Sequence, residues 1–197
     1  TIGTDGDIGL VVLADGMGGY NAGEVASGIA VDAVSNGMLP ELKSDRELSK
    51  VDIASGLTHA ALLLQQKIAA ANKGIYEAAQ ARPECAGMGT TLVCLVFCGN
   101  RVSIGHIGDS RCYRLRGDKL EQLTRDHRVS VAQGESYLSR AVGFDARIEI
   151  DYQALEIERG DVFVLATDGV YEHVDAPFVA RAIREARGGL DGAAHAV

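Results

Sequence analysis

The chain has 197 residues, 47% of them apolar and 23% charged, and carries a net charge of −8. This is the make-up of one soluble globular domain with a substantial core. The acidic balance, with no basic stripe, excludes a nucleic-acid-binding module, and no apolar run reaches membrane-spanning length.

The first expected strand is the apolar run Leu10-Val11-Val12-Leu13-Ala14, which delivers Asp15 into the glycine turn Gly16-Met17-Gly18-Gly19. Ahead of it, Asp5 and Asp7 read as Gly-Asp turn residues. Glu24–Met38 then places Val25, Ile29, Ala30, Ala33, Val34 and Met38 at helical spacing, and Leu39-Pro40 predicts its end. A polar link, Glu41–Lys50, precedes a second helix predicted over Asp52–Ala81, with an interruption allowed at Gly74 and closure at Arg82-Pro83. Two helices so joined pack antiparallel.

From Thr90 the period changes to that of strands: Thr91–Cys98, Arg101–Ile107, Arg111–Leu115 and Lys119–Leu123. Gly99-Asn100, Gly108-Asp109-Ser110 and Gly117-Asp118 read as hairpin turns between them. Ile148–Ile157 and Val162–Ala166 read as another pair around Arg159-Gly160-Asp161, and Phe178–Arg187 as a late helix. Separate blocks of helices and antiparallel strands predict an α+β layered domain. The four cysteines, Cys85, Cys94, Cys98 and Cys112, are too few and too strand-like for a disulfide framework. Without a CxxC or a nearby His they are expected as buried, reduced thiols, which fits the cytoplasm.

Three apolar runs end in an aspartate: Leu10–Ala14 in Asp15, Val102–Gly108 in Asp109, and Val162–Thr167 in Asp168. A carboxylate at the buried end of a strand is unfavourable unless a cation compensates it, and no Lys or Arg lies within Gly9–Ser27. Glycine after the acid lets the backbone approach closely and present a carbonyl. Clustered carboxylates with an accessible carbonyl suit a hard, oxygen-liganded ion such as Mg²⁺ or Mn²⁺. On residue type alone, each aspartate is equally a turn former.

Leu13-Ala14-Asp15-Gly16-Met17-Gly18-Gly19 followed by Ala22-Gly23-Glu24-Val25-Ala26-Ser27 resembles the signature of the bacterial metal-dependent Ser/Thr protein phosphatases of type 2C, the PPM family. Further matches follow in the family's order: Gly87-Met88-Gly89-Thr90-Thr91, Gly108-Asp109-Ser110-Arg111-Cys112-Tyr113 and Thr124-Arg125-Asp126-His127. Leu138-Ser139-Arg140-Ala141-Val142-Gly143 and Ala166-Thr167-Asp168-Gly169-Val170 complete a series covering essentially the whole chain. The resemblance implies a four-layer αββα sandwich, two antiparallel β-sheets flanked by pairs of antiparallel helices, in a single catalytic domain over residues 1–197.

It also implies the chemistry. Asp15 and Asp168 are the catalytic residues, Asp15 bridging two Mn²⁺ or Mg²⁺ ions, with the Gly16 carbonyl on the second and Asp168 on the first. Asp109 joins Asp168 at a third, weaker ion. The ions hold a bridging hydroxide that attacks the phosphorus of phosphoserine or phosphothreonine in line, without a phosphoenzyme. Met17 stands where eukaryotic relatives carry a His proposed as general acid, so that role does not transfer. His127 is expected as a cap and a satisfied side chain rather than a catalytic group. His59, His106, His173 and His195 form no ligand pattern in the sequence, and Arg111 and Arg140 are expected in structural ion pairs.

The implied partners are phosphoproteins and a Ser/Thr kinase sharing those substrates, and a monomer is expected. No signal peptide is expected, and Thr1 is not expected to begin the gene product. The family's N-terminal Arg and Asn-Glu/Gln-Asp segment would fall before Thr1, and its final Asp-Asn ligand segment after Val197. The stretch between His127 and Leu138 is short for the family's flap, through either a reduced flap or omitted residues. A non-catalytic pseudophosphatase that binds phosphoproteins or a kinase is the alternative, against which Asp15, Gly16 and Asp168 speak.

Overall fold

The computed structural model describes residues 2–5, 8–19, 22–42, 47–131, 136–186 and 189–196. In chain order these form strands β1 (Ile2–Asp5), β2 (Ile8–Leu13) and β3 (Gly16–Met17), then helices α1 (Ala22–Leu42) and α2 (His59–Ala81). Strands β4 (Gly89–Thr90), β5 (Leu92–Cys98), β6 (Arg101–Ile107), β7 (Arg111–Arg116) and β8 (Lys119–Gln122) follow. Then come β9 (Arg128–Ser130), β10 (Ser136–Leu138), β11 (Asp151–Glu156) and β12 (Val162–Ala166), and helices α3 (Asp168–Tyr171), α4 (Ala176–Glu185) and α5 (Leu190–Ala196). Every strand pairing among the described residues is antiparallel, and the fold is of the α+β class that the sequence predicts.

The chain divides into two compact units, Thr1–Ser110 with Asp126–Ile157, and Arg111–Arg125 with Glu158–Val197. The first unit holds a five-stranded sheet in the order β1-β2-β5-β6-β11. One face of β5 (Leu92, Cys94 and Val96) joins Leu10 and Val12 of β2 in a core with the helices. Lys67 lies over Gly37 while Ile29 lies beside Gly74, so α1 and α2 run antiparallel, as expected. Ala26, Ala30, Val34 and Met38 of α1 and Leu64, Ile68, Ala71 and Ile75 of α2 fill the space between helices and sheet. Burial of these side chains at about 25 cal/mol per Å² of apolar surface is the main force holding this unit together.

The second unit holds the three-stranded sheet β12-β7-β8, with α4 packed on β8 and α5 on α4. Arg116 of β7 fastens the turn before β12: its Nε and Nη2 reach the Asp161 carboxylate at 2.7 and 2.6 Å, and Nη1 reaches Glu158 at 2.7 Å.

Several boundaries differ from expectation. Helix α1 runs through Pro40 to Leu42: the missing Pro40 N–H forfeits a bond to the Asn36 carbonyl, and burial of Leu42 on the core offsets that loss. Helix α2 begins at His59 rather than Asp52. Thr58 caps it by accepting the Ala61 N–H, while Asp52 caps a local turn at Ser55 and leaves Ile53 fully exposed. The helix continues through Gly74 without a break. Residues 2–5 are a strand paired with β2, not a turn; Asp7 lies outside the described residues.

Two expected hairpins are absent. Strand β11 pairs with β6 and β12 pairs with β7, so the turn at Glu158–Asp161 links different sheets. Likewise Gly108-Asp109-Ser110 carries the chain from β6 to β7 across sheets instead of folding one onto the other. A two-residue hairpin needs both strands in one ladder, and here each strand's hydrogen-bonding edge is satisfied by a more distant partner.

Candidate metal centre

The turn at Asp15 is fixed through its backbone. The Asp15 N–H donates to Thr91 Oγ1 at 3.0 Å, and the Asp15 carbonyl accepts from the Thr91 N–H and from Thr90 Oγ1, each at 2.9 Å. Both backbone polar groups are thereby spent, and the Asp15 side chain is half-buried. The Thr90–Thr91 pair of the glycine motif is therefore the anchor of Asp15, a role the sequence reading left unassigned.

Gly16 follows at the start of β3, paired with Thr90. A Cβ on Gly16 would fall within the Gly23 carbonyl, so β3 and the start of α1 approach as bare backbone. Met17 pairs with Gly89 in the same ladder and has no side-chain group able to donate a proton.

Asp109 is buried at the end of β6. Thr91 Oγ1 lies 2.7 Å from Ser110 Oγ, so one buried threonine hydroxyl joins the Asp15 turn to the Asp109-Ser110 turn. Gly108, at φ +102°, sits against Thr91 and takes a conformation open to glycine. The Arg128 guanidinium stands 3.1 Å from Asp109 Oδ2, a cation already at this carboxylate.

Asp168 belongs to the second unit. It opens α3 directly after β12, is exposed, and accepts the Gly169 N–H on Oδ1 at 2.8 Å. In that unit Arg111, expected in an ion pair, packs over the Tyr171 ring at 3.6 Å and donates to Tyr113. Arg140 behaves as expected, pairing with Asp151 at 2.9 Å.

The imidazoles require a correction. His106, His127 and Asp151 offer ligand atoms all within 4.8 Å of one another, a grouping invisible in the sequence because it depends on β6 pairing His106 with Asp151. His127 is a satisfied side chain as expected, though it caps no helix. Its Nδ1 accepts the Gly108 N–H at 3.0 Å, and its Nε2 faces Asp151 Oδ2 at 3.1 Å. A neutral imidazole has one lone pair, and here the backbone takes it, so His127 has none left for a metal. Burial pushes His106 down to about 4, with His127 adding to the effect. Burial alone would raise Asp151, but hydrogen bonds from His127 and Arg140 hold it below its ordinary value. His127, Asp151 and Arg140 thus form a structural network that braces the Gly108-Asp109 turn, with the buried His106 ring against His127 at 4.8 Å.

Asp15 and Asp109 thus lie on two turns tied to each other through the Thr91 hydroxyl, with Arg128 paired to Asp109. A family model for protein phosphatase 2C matches residues 1–191, and the chain belongs to that family. The serine/threonine protein phosphatase PstP of Mycobacterium tuberculosis is 32% identical over 189 residues, 89% of this chain and 34% of the relative. The serine/threonine phosphatase stp of Listeria monocytogenes is 32% identical over 176 residues, 82% of this chain and 66% of the relative. This chain therefore spans a third of the mycobacterial relative's length and just under two thirds of the listerial one's.

Among solved structures, mycobacterial PstP/Ppp matches with a TM-score of 0.80 at 28% identity, covering 99% of this chain and 81% of that one. The PstP catalytic domain in complex with two manganese ions matches with a TM-score of 0.78 at 29% identity, covering 99% and 80%.

Proposed function

We propose that the protein is a Mn²⁺- or Mg²⁺-dependent phosphatase acting on phosphoserine and phosphothreonine in proteins. The observation that carries this reading is the Asp15-Gly16 turn, where the Asp15 N–H and carbonyl are both committed to Thr90 and Thr91 and the close approach of Gly23 leaves no room for a side chain at Gly16. A turn built only to reverse the chain needs neither feature. Family membership and the two manganese ions of PstP support it.

The donor set fits: Asp15, the Gly16 carbonyl, Asp109 and, from the second unit, Asp168 are oxygen ligands without Cys or neutral His. Within the first unit Asp15 and the Gly16 carbonyl would hold core ions and Asp109 a further one, while Asp168 offers a donor of the same kind in the second unit. When bound, the ions supply Lewis-acid activation of water and offset charge on the phosphoryl oxygens. The chain's own part is to hold the carboxylates in register. Thr91 fixes Asp15, while His127 and Ser110 brace the Asp109 turn. Met17 does not deliver a proton to the leaving alkoxide. The retained Asp15, Gly16 and Asp168 speak against a binding-only descendant.

The relatives named as Ser/Thr phosphatases support phosphoprotein substrates, and a Ser/Thr kinase modifying the same proteins is the opposing partner. No helix among the described residues is long and apolar enough to cross a membrane. Four free cysteines support a reducing compartment such as the cytoplasm. Action as a monomer completes the reading.

The test is chelation. The intact protein, stripped with EDTA, should lose turnover of a phosphothreonine peptide and regain it with Mn²⁺. Full activity after exhaustive metal removal overturns the reading.

A further inference from the structure

The buried hydroxyl of Thr91 stands between two turns that the proposed function makes metal-binding. Its oxygen accepts the Asp15 N–H at 3.0 Å and lies 2.7 Å from Ser110 Oγ, next to Asp109. Thr91 and Ser110 are 3% and 1% exposed, so no solvent substitutes for either bond. The Thr91 N–H also holds the Asp15 carbonyl, and Gly108 rests against the Thr91 side chain. One residue thus touches the Asp15 turn through backbone and side chain, and the Asp109 turn through side chain alone.

From this arrangement we infer that Thr91 is a positioning residue that sets the Asp15 and Asp109 turns relative to each other and couples metal binding at one to metal binding at the other. The inference rests on the reading of Asp15 and Asp109 as ligands. Thr91 touches neither substrate nor ion; it acts by hydrogen bonds on the backbone carrying Asp15 and on the neighbour of Asp109. Support of this kind is worth about 10–100-fold in metal affinity or activity when removed. A hydroxyl serves where a methyl cannot, because the part-buried Asp15 N–H and the buried Ser110 Oγ both need a polar partner.

The experiment uses the intact protein with Mn²⁺ as the probe, read by calorimetry and by phosphopeptide kinetics. Thr91→Val keeps the side-chain shape and removes the hydroxyl. It should weaken the tight Mn²⁺ sites by about tenfold or more and lower kcat with KM little changed. Thr91→Ser should restore both. Ser110→Ala keeps the acceptor for Asp15 and cuts the link to Asp109. It should leave tight binding intact, raise the Mn²⁺ concentration needed for full turnover, and add little to Thr91→Val in the double variant.

Wild-type Mn²⁺ binding in Thr91→Val, or failure of Thr91→Ser to rescue it, overturns the inference. So do effects of Thr91→Val and Ser110→Ala that simply add. Asp15→Asn separates this failure from failure of the underlying reading. If Asp15→Asn binds Mn²⁺ as the wild type does, the ligand assignment falls and the inference falls with it. If it loses the tight sites while Thr91→Val keeps them, the inference alone is wrong.

Discussion

Gly16 and Gly23 meet backbone to backbone, the first strand residue after Asp15 against the second residue of α1. A Cβ on Gly23 would come within 2.7 Å of the Gly16 carbonyl carbon, and neither chain has a flexible side chain that could yield. Gly16→Ala should therefore destabilise the protein by about 1–3 kcal/mol and abolish turnover together, since relieving the overlap moves the carbonyl next to Asp15. Urea unfolding beside a phosphatase assay checks this; an active, fully stable variant would show that the close approach is dispensable.

Asp109 already holds Arg128 at 3.1 Å, so the loss of its carboxylate leaves a partly buried guanidinium without this partner. Asp109→Ala should leave the tight Mn²⁺ sites unchanged in calorimetry and lower kcat by about tenfold. Removal of a tight site would place Asp109 in the core cluster. No change in either quantity would make it a turn residue.

His106 gives the first unit an acid-sensitive element. Its value in the folded chain is about 4 against an ordinary 6.5, so the unfolded chain binds more protons between these limits. Its contribution is complete above 6.5 and is lost as pH falls from there towards 4. Between pH 7 and pH 5 this amounts to about 2 kcal/mol. His106→Phe should flatten that part of the stability–pH curve in urea titrations. An unchanged slope would assign the acid sensitivity to other groups.

In the second unit, the Asp161 side chain is 3% exposed and held by Arg116, which keeps its carboxyl below the ordinary range. Arg116→Ala strands that carboxylate, and a buried charge without its partner is more damaging than the absence of both. Arg116→Ala should lower Tm clearly, and Asp161→Asn in the same chain should recover part of the loss. A double variant less stable than either single one would show that the two side chains act independently.

Local pattern determined much of this protein. The apolar runs ending in Asp15, Asp109 and Asp168 occur as strands β2, β6 and β12 followed by irregular turns or a short helix, because a short apolar run and the glycine or Asp break after it are properties of a few adjacent residues. The α1–α2 pair and the hairpins at Gly99 and Gly117 were legible for the same reason. What the sequence could not determine is which strand edge each run would satisfy. Ile148–Ile157 and Val162–Ala166 look like a hairpin locally, yet β6 and β7 offer them separate edges, and pairing over 45 residues leaves no local trace.

Tertiary structure alone therefore decided that His106 and His127 converge on Asp151, and that the lone pair of His127 goes to Gly108. It also gave Thr91, an ordinary strand residue by its neighbours, both the Asp15 N–H and the Ser110 hydroxyl. Side-chain hydrogen bonds between distant turns depend on where the sheet puts them, and a one-dimensional pattern of apolar and polar residues carries no record of that distance.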